Sequence, residues 1–325
     1  MKRPSAFRTI LGSLACAGAL AVSGGSIALA QTPAASNDVA AVSVPKPGYP
    51  RLTKLAPNVY GFEEMQSIDR GAFSTGVMFV VTSDGVLVTD GMANPAATRQ
   101  VVDEIHKVTP KPIKWVVIGS DHGDHTGGNT AYPADVTYYV SPISKDTLEK
   151  EEASPRFKAG SWKLPASAVV VPDRKTLTLG GEQAEVMFLG PGHTGGDLEV
   201  YLPKERILYM SEVYLNYVFP AMRSATPTTW IATAKKALAM KDVRTYVPAH
   251  GEILTGPQTR QGFEKYVKAM EDVVANVKGM HDKGLSLDEA LKQVNWGPYA
   301  SWPMAQQQGQ IAIKRVYMEL NGELK

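Results

Sequence analysis

Short apolar runs rich in β-branched residues, separated by turn residues, recur along the chain from about residue 58. Runs at 58–62, 76–82 and 86–89 predict strands, and the turn Ser83-Asp84-Gly85 between the last two predicts a hairpin. The uninterrupted run at 115–118, Trp-Val-Val-Ile, has the length and β-branching of a strand buried on both faces. This part of the chain therefore predicts a sheet that contains a buried strand.

Five later runs have the same character, and they lie at 168–171, 184–189, 198–201, 207–210 and 246–247. Three of them end within four residues of a histidine or a glutamate: His193, Glu212 and His250. A loop at the carboxyl end of a strand is held firmly at its root while its side chains project into a crevice. These loops are therefore expected to supply a site.

Helical patterns fill the remaining segments. Asn94-Pro95 has the pattern of an N-cap followed by a first-turn proline, and positions such as Val101 and Ile105 give the following helix an apolar face. Thr226-Pro227 predicts a second capped helix, to about Met240. Three further helices are predicted at 259–281, 286–294 and 305–320. Strands mixed with helices predict an α/β fold, in which the C-terminal helices cover the sheet and wall the cleft.

The first thirty residues carry three basic residues, no acidic residue and an apolar run at 10–22. The run is too short to span a membrane, and Ala28-Leu29-Ala30 has the pattern of a signal-peptidase site. We expect a signal peptide at 1–30 cleaved near Ala30–Gln31, a periplasmic or secreted location, and no stable membrane insertion. A retained amphipathic anchor is the alternative. The segment 31–50, rich in Ala, Pro and Ser, predicts a flexible linker.

Charge and cysteine content limit the partners and the ligands. The whole chain has a net charge of +2, and cleavage would remove three of its 34 basic residues, leaving 31 against 32 acidic ones. A nearly neutral chain without a basic stripe is not expected to bind nucleic acid. Cys16 is the only cysteine, so a metal site in the mature chain must use His, Asp and Glu. Composition leaves the oligomeric state open.

The densest chemistry lies in the heptapeptide Ser120-Asp121-His122-Gly123-Asp124-His125-Thr126. Its two imidazoles are three residues apart with a carboxylate between them, and such groups can converge on a divalent cation. His193 and His250 stand in two other glycine-flanked turns. A lone histidine in such a turn can simply bond to the backbone, but four in this arrangement favour metal binding. His106 and His281 fall in predicted helices, where solvated or capping roles are expected.

These motifs resemble the metallo-β-lactamase superfamily in their order and approximate spacing, from about Leu55 to Ile253. The matching stretches, in chain order, are Val88–Gly91, Asp121–Asn129, Gly192–Asp197, Leu208–Glu212 and Pro248–Gly251. The resemblance implies an αββα sandwich with a metal site along one edge of its two sheets. It also implies a metallo-β-lactamase-like domain at 51–255, with a C-terminal helical region at 256–325 packed on the same domain.

By the same resemblance, six residues would hold two metal positions: His122 and His193 the first, Asp124, His125 and His250 the second, and Glu212 between them. Asp90 resembles an acid that orients the ligands from behind.

One position departs from the family pattern, which begins His-x-His-x-Asp-His. Ser120 occupies the place of its first histidine, and a neutral hydroxyl is a poor zinc ligand. We therefore expect one strongly bound zinc at the second position and a weak or absent metal at the first. Asp121 is an alternative substitute, although its side chain would normally point the other way. Iron or manganese remains open as the metal.

Three residues after Glu212 are candidates for contact with a small-molecule substrate. Tyr214 and Tyr217 could line a pocket, with Arg223 anchoring an anionic group, although core or cover positions are the alternative for all three.

The favoured function is an exported hydrolase in which a metal-bound hydroxide cleaves an ester, lactone, thioester or amide bond, β-lactams included. Asp124 would orient the hydroxide, and His122 would act as general base if the first position holds no metal. Two alternatives stay open. One is an iron-dependent redox enzyme of the same fold, and the other is a metal-binding or partner-binding protein whose catalytic site is degraded.

Overall fold

The computed structural model describes residues 42–43, 46–68 and 71–324. The predicted signal peptide and most of the predicted linker lie outside these residues. Within them, no helix is both long enough and apolar enough to cross a membrane.

The described residues form fifteen strands and seven α-helices. The strands are Val42–Ser43 (β1), Arg51–Ala56 (β2), Val59–Ile68 (β3), Gly71–Val81 (β4), Val86–Thr89 (β5), Ile113–Val117 (β6), Thr137–Val140 (β7), Val169–Val170 (β8), Arg174–Leu179 (β9), Glu182–Met187 (β10), Glu199–Leu202 (β11), Ile207–Tyr209 (β12), Leu215–Asn216 (β13), Thr245–Val247 (β14) and His250–Gly251 (β15). The helices are Pro95–Val108 (α1), Gly123–Thr126 (α2), Pro142–Glu152 (α3), Pro227–Leu238 (α4), Gln258–Asp282 (α5), Leu287–Gln293 (α6) and Ala305–Leu320 (α7).

Two sheets lie at the centre of the fold. In the first, the order is β1-β3-β4-β5-β6-β7-β8, with β2 also paired to β3, and β13 joined to β4 through β15. In the second, the order is β14-β12-β11-β10-β9. The predicted hairpin is present, because β4 and β5 are antiparallel across the turn where the Thr82 amide donates to the Gly85 carbonyl.

Alternation along β4 explains why the sheets stack. Met78 and Val80 point between the sheets, where they join an apolar cluster with Val186 and Val200 of the second sheet. Val77 and Phe79, which alternate with them along the strand, point to the outer face of the first sheet. A strand buried on both faces must be apolar throughout, and each fully buried side chain of this size contributes about 1.5–3 kcal/mol.

Helices cover the outer face of each sheet. On the first sheet, α1 contributes Val101 and Ile105 to the cluster that contains Phe79. On the second, α4 to α7 share one cluster with β12 and β14, including Trp230 of α4 and Ile313 of α7. The order helix, sheet, sheet, helix is the predicted αββα sandwich, which the structure confirms.

Some elements differ from the sequence expectation. Strands β2 and β9 and helix α3 were not anticipated, because their residues are largely polar or only partly buried. Strand β7 was also not anticipated, although three of its four residues are buried. The ligand-rich heptapeptide is also not a plain loop, since α2 begins inside it. Among the described residues, Thr226 gives α4 no side-chain cap bond, whereas the Asn94 side chain accepts bonds from two amides of α1.

Candidate metal centre

The candidate residues come together because five strands end at one edge of the two sheets. In the first sheet β5 and β6 are parallel, and Asp90 and the heptapeptide follow their ends. In the second, β12 is parallel to β14, while β10 runs in the same direction because both flank the antiparallel β11. His193, Glu212 and His250 follow these three strands. The prediction that loops after strands supply the site therefore agrees with the topology.

One group of donor atoms consists of His122, His193 and Glu212. His122 Nδ1 lies 3.0 Å from Glu212 Oε2, and His193 Nε2 lies 3.3 Å from Glu212 Oε1. The two imidazole rings meet edge to face with centroids 4.9 Å apart. These are the residues expected for the first metal position.

A second group consists of Asp124, His125, Glu212 and His250. His250 Nε2 lies 3.1 Å from Glu212 Oε1, 3.1 Å from His125 Nε2 and 3.4 Å from Asp124 Oδ2. His125 Nε2 lies 3.9 Å from both Asp124 Oδ2 and Glu212 Oε1. These are the residues expected for the second position.

The spacing and chemistry of both groups fit a divalent cation. Zinc bonds to nitrogen and oxygen at about 2.0–2.2 Å, so the ligand atoms of a tetrahedral site stand about 3.2–3.6 Å apart. The separations in the second group lie inside that interval and on both sides of it, at 3.1, 3.1, 3.4, 3.9 and 3.9 Å. Two imidazoles with their Nε2 atoms facing each other beside two carboxylates form a donor set of the kind that zinc accepts.

Ser120 is buried beside the first group. Its hydroxyl donates to Glu212 Oε2 at 2.5 Å and accepts from the backbone amide of His122 at 3.2 Å. The serine therefore stabilises the shared carboxylate, but it brings no additional strong ligand to the first position.

Asp121 stands outside both groups. Its side chain is buried and interacts with Ser144, and burial raises its pKa to about 6. The geometry therefore does not bring Asp121 in as a replacement for the missing histidine.

Asp90 lies behind the ligands and connects three elements. Its Oδ1 accepts from the amides of Gly119 and Ser120, at 2.6 and 3.2 Å. Its Oδ2 accepts from the Tyr209 hydroxyl at 2.6 Å and lies 3.5 Å from His125 Nδ1. A Cβ on Gly119 would stand 2.7 Å from this oxygen, so only glycine allows so close an approach. Asp90 can thereby hold the heptapeptide loop and orient the His125 ring.

His250 is oriented from its other side. Its Nδ1 lies 3.2 Å from both the Thr75 hydroxyl and the Ser74 carbonyl, so Nε2 is directed at the ligand group. Thr75 and Tyr209 were not singled out from the sequence, because Tyr209 lies within a predicted strand, Thr75 lies one residue before another, and nothing local distinguishes either from an ordinary strand residue.

The carboxylates change the acidity of three imidazoles. Burial opposes protonation of His122, but Glu212 outweighs it and raises the pKa of His122 to about 9. Burial acts similarly on His125 and His250, where Asp124 and Glu212 prevail and raise the pKa values to about 9 and about 10. Burial dominates only at His193, whose pKa falls to about 3.

The acids shift in the opposite direction. Burial disfavours their charged forms, yet the imidazoles around Glu212 hold its pKa well below the usual range. His125 and His250 likewise lower the pKa of Asp124. Both carboxylates are therefore ionised at neutral pH, as metal ligands must be.

The three residues expected to contact a substrate have different surroundings in the structure. Tyr214 is buried in the core against Phe263 and donates to Asn216, so it lines no open surface and that prediction is corrected. Tyr217 is 41% exposed and lies beside Trp302. Arg223 is half-buried, and its charge acts on His193.

Ser224, which the sequence did not single out, lies with its Oγ 3.5 Å from His122 Nε2. His106 is exposed on α1, while His281 approaches Asn321 at 3.2 Å near the end of α5. Both of these histidines lie outside the two ligand groups.

Comparison with known proteins gives the site a context. A family model described as the metallo-beta-lactamase superfamily matches residues 70–250. The alpha subunit of 2,4-dinitroanisole O-demethylase from Nocardioides sp. is 28% identical over 228 residues, which cover 69% of this chain and 66% of the relative. A linear primary-alkylsulfatase from Pseudomonas sp. is 25% identical over 267 residues, covering 66% and 49%. The chain thus spans less than two thirds of either curated relative.

Among solved structures, a metallo-beta-lactamase from Pontibacter korlensis matches with a TM-score of 0.57 at 19% identity, covering 67% of this chain and 98% of that one. This likeness establishes a shared fold.

Proposed function

From the premise that the chain belongs to the metallo-β-lactamase superfamily of enzymes, we propose that it is a metal-dependent hydrolase of small molecules. The observation that carries the proposal is the convergence of two donor groups on one buried carboxylate, Glu212, at the sheet edge. The function rests on this site, since the fold alone is compatible with many reactions.

The proposed cofactor is zinc. Asp124, His125, Glu212 and His250 would hold it most firmly, while His122 and His193 would offer a weaker position that lacks a third imidazole. When bound, the cation supplies a Lewis acid that lowers the pKa of water towards about 7 and stabilises developing negative charge.

Residues of the chain are proposed to orient the water, transfer a proton and contact the substrate. Asp124, partly exposed beside the ligands, can accept a hydrogen bond from the attacking water and so orient it. His122 can exchange a proton through Nε2, because its Nδ1 faces Glu212 while Nε2 faces Ser224. Arg223, whose charge acts on His193, is the proposed contact for an anionic group of the substrate, and the exposed Tyr217 is the second proposed substrate contact.

The decisive experiment measures metal content and activity together. Protein purified without chelator should contain about one equivalent of zinc and should hydrolyse at least one member of a substrate panel. The panel holds a β-lactam, a lactone, a thioester and a phosphodiester. An alkyl sulfate and an aryl methyl ether are added because of the activities named for the two relatives.

Two variants give that experiment its control. His250→Ala should lose the metal and at least about a hundredfold in activity, because it removes an imidazole that faces three other ligands. His106→Ala, on the exposed face of α1, should change neither. Retention of metal and activity by His250→Ala would refute the assignment. Stoichiometric iron would favour the redox alternative, and absence of any metal would favour a degraded site.

We also propose that the chain is exported, from the basic and apolar pattern of residues 1–30. A mature protein that begins at Gln31, found by mass spectrometry after expression with the full leader, would support this. An intact N-terminus on protein in the cytoplasm would contradict it.

A further inference from the structure

One stretch of chain, the rim segment at residues 217–225, borders the site at both of its ends. It follows β13, in which Leu215 pairs with His250. It then returns so that Ser224 Oγ lies 3.5 Å from His122 Nε2, while the charge of Arg223 acts on His193. Its conformation therefore decides which polar groups face the candidate ligands.

The rim segment, all of which is described, contains no helix or strand that would fix its path. Tyr217 adopts a positive φ of 55°, a conformation that a bulky residue rarely keeps without support from its surroundings. The support must therefore come from contacts outside the segment.

The C-terminal region provides these contacts. The Phe219 amide donates to the Pro303 carbonyl at 3.0 Å, and the Phe219 ring packs against Trp296 with centroids 5.1 Å apart. Tyr217 meets Trp302 at 5.7 Å. Three aromatic or backbone contacts thus fix the first half of the rim segment.

Arg315 of α7 fixes the second half. Its Nε and Nη2 donate to the Ala225 carbonyl at 3.0 and 2.6 Å, and Nη2 also lies 3.5 Å from the Ser224 carbonyl. The nearby carboxylate of Glu319 is engaged by Thr228. The planar guanidinium, partly buried, therefore has its fork directed at rim carbonyls, a geometry that an ammonium group cannot reproduce.

We propose that Arg315 is a positioning residue of the site, which holds Ser224 and Arg223 of the rim segment beside His122 and His193 and so shapes the substrate-binding side. Its catalytic consequence rests on the proposed function. The candidate ligands all lie within the family-model match at 70–250, whereas α7 lies beyond it. On this proposal, the C-terminal helices therefore contribute to a site whose ligands come from the matched region.

Trypsin provides a direct test, because the bond between Arg223 and Ser224 is itself a tryptic site within the rim segment. In Arg315→Met, cleavage at this bond should accelerate about tenfold or more, as expected when charge-assisted hydrogen bonds that resist local opening are lost. Arg315→Lys should fall between wild type and Arg315→Met, since its ammonium can reach one carbonyl. Lys314→Met, an exposed neighbour on the same helix, should behave as wild type.

Metal content and kinetics complete the test. Arg315→Met should keep the wild-type zinc content while KM for the panel substrate rises about tenfold and kcat changes less, because the ligands stay in place and the substrate wall loosens. Unchanged cleavage at Arg223, or a parallel acceleration at every tryptic site, would overturn the proposal, and so would an unchanged KM. If wild type hydrolyses no panel member, the proposed function fails, while selective cleavage at Arg223 still decides whether Arg315 holds the rim segment.

Discussion

Glu212 joins the two donor groups because its two oxygens face different partners. Oε1 faces His193 and His250, whereas Oε2 faces His122 and receives the Ser120 hydroxyl. The serine adds a hydrogen bond to the oxygen nearest the first position but no ligand for a cation. The missing imidazole is therefore the reason for expecting unequal metal affinities.

Replacing Ser120 with histidine tests this inequality. Ser120→His should raise the zinc content from about one equivalent towards two, because an imidazole replaces a hydroxyl that is a poor ligand. Metal analysis after dialysis measures the change. Ser120→Ala, which removes the hydrogen bond to Glu212 and adds no ligand, is the matched control and should stay near one. A folded Ser120→His protein that still holds one equivalent would contradict the proposed difference.

The sequence predicted the convergent histidines because each follows an apolar strand, which fixes where the loop begins. It could not predict their supporting partners. Thr75 and Tyr209 lie within strands, and their contacts with His250 and Asp90 come from chain crossings that no local pattern encodes. For Tyr214 the sequence left a pocket and a core position open, and the structure gives the core position, since a tyrosine close to a ligand in sequence can still face the core.

At the scale of elements, helices α1 and α4 start with the same sequence pattern but differ in their N-terminal contacts. Both begin with a polar residue followed by proline, yet only Asn94 bonds to helix amides, at 3.0 Å to Ala96 and Ala97. Helix α3 is present although the sequence did not predict it. Only Ser144 and Leu148 of its eleven residues are buried, so it has no apolar stripe that would indicate a helix.

The caps provide a matched pair of substitutions. Asn94→Ala should lower the free energy of unfolding by about 1 kcal/mol, since two amides at the start of α1 lose their acceptor. Thr226→Ala should have little effect, because that side chain caps no amide among the described residues. Urea unfolding of both variants measures the difference. Equal losses in the two variants would show that the cap contacts do not determine α1 stability.

At the scale of the whole molecule, the shifted imidazoles link stability to pH and to metal. In metal-free protein the pKa values of His125 and His250 are about 9 and about 10, above the ordinary value of 6.5. A histidine whose pKa is higher in the folded than in the unfolded protein stabilises the fold fully at pH values below its unfolded-state pKa. This stabilisation is lost as the pH rises through its folded-state pKa. Metal binding requires the neutral rings, so it gains strength over the same interval.

The two states should therefore respond differently to alkaline pH. With chelator, the midpoint temperature of unfolding should decrease as the pH rises from about 6.5 to 9.5, because these imidazoles lose their protons. With excess zinc, the midpoint should lie higher, and its separation from the chelated sample should widen as pH rises. Calorimetry across this range provides the measurement. Parallel curves would mean that these imidazoles do not bind the metal.

The edge position of the centre also has a kinetic consequence. His125 and His250 are 125 residues apart in sequence, and their rings can meet only once the strand that carries His250, β15, has paired with β4 of the first sheet. Contacts of such long sequence separation close late, because the chain must first lose the entropy of a large loop. We therefore expect the second donor group to be absent from early folding ensembles, so that a bound cation slows unfolding and has little influence on the rate of folding.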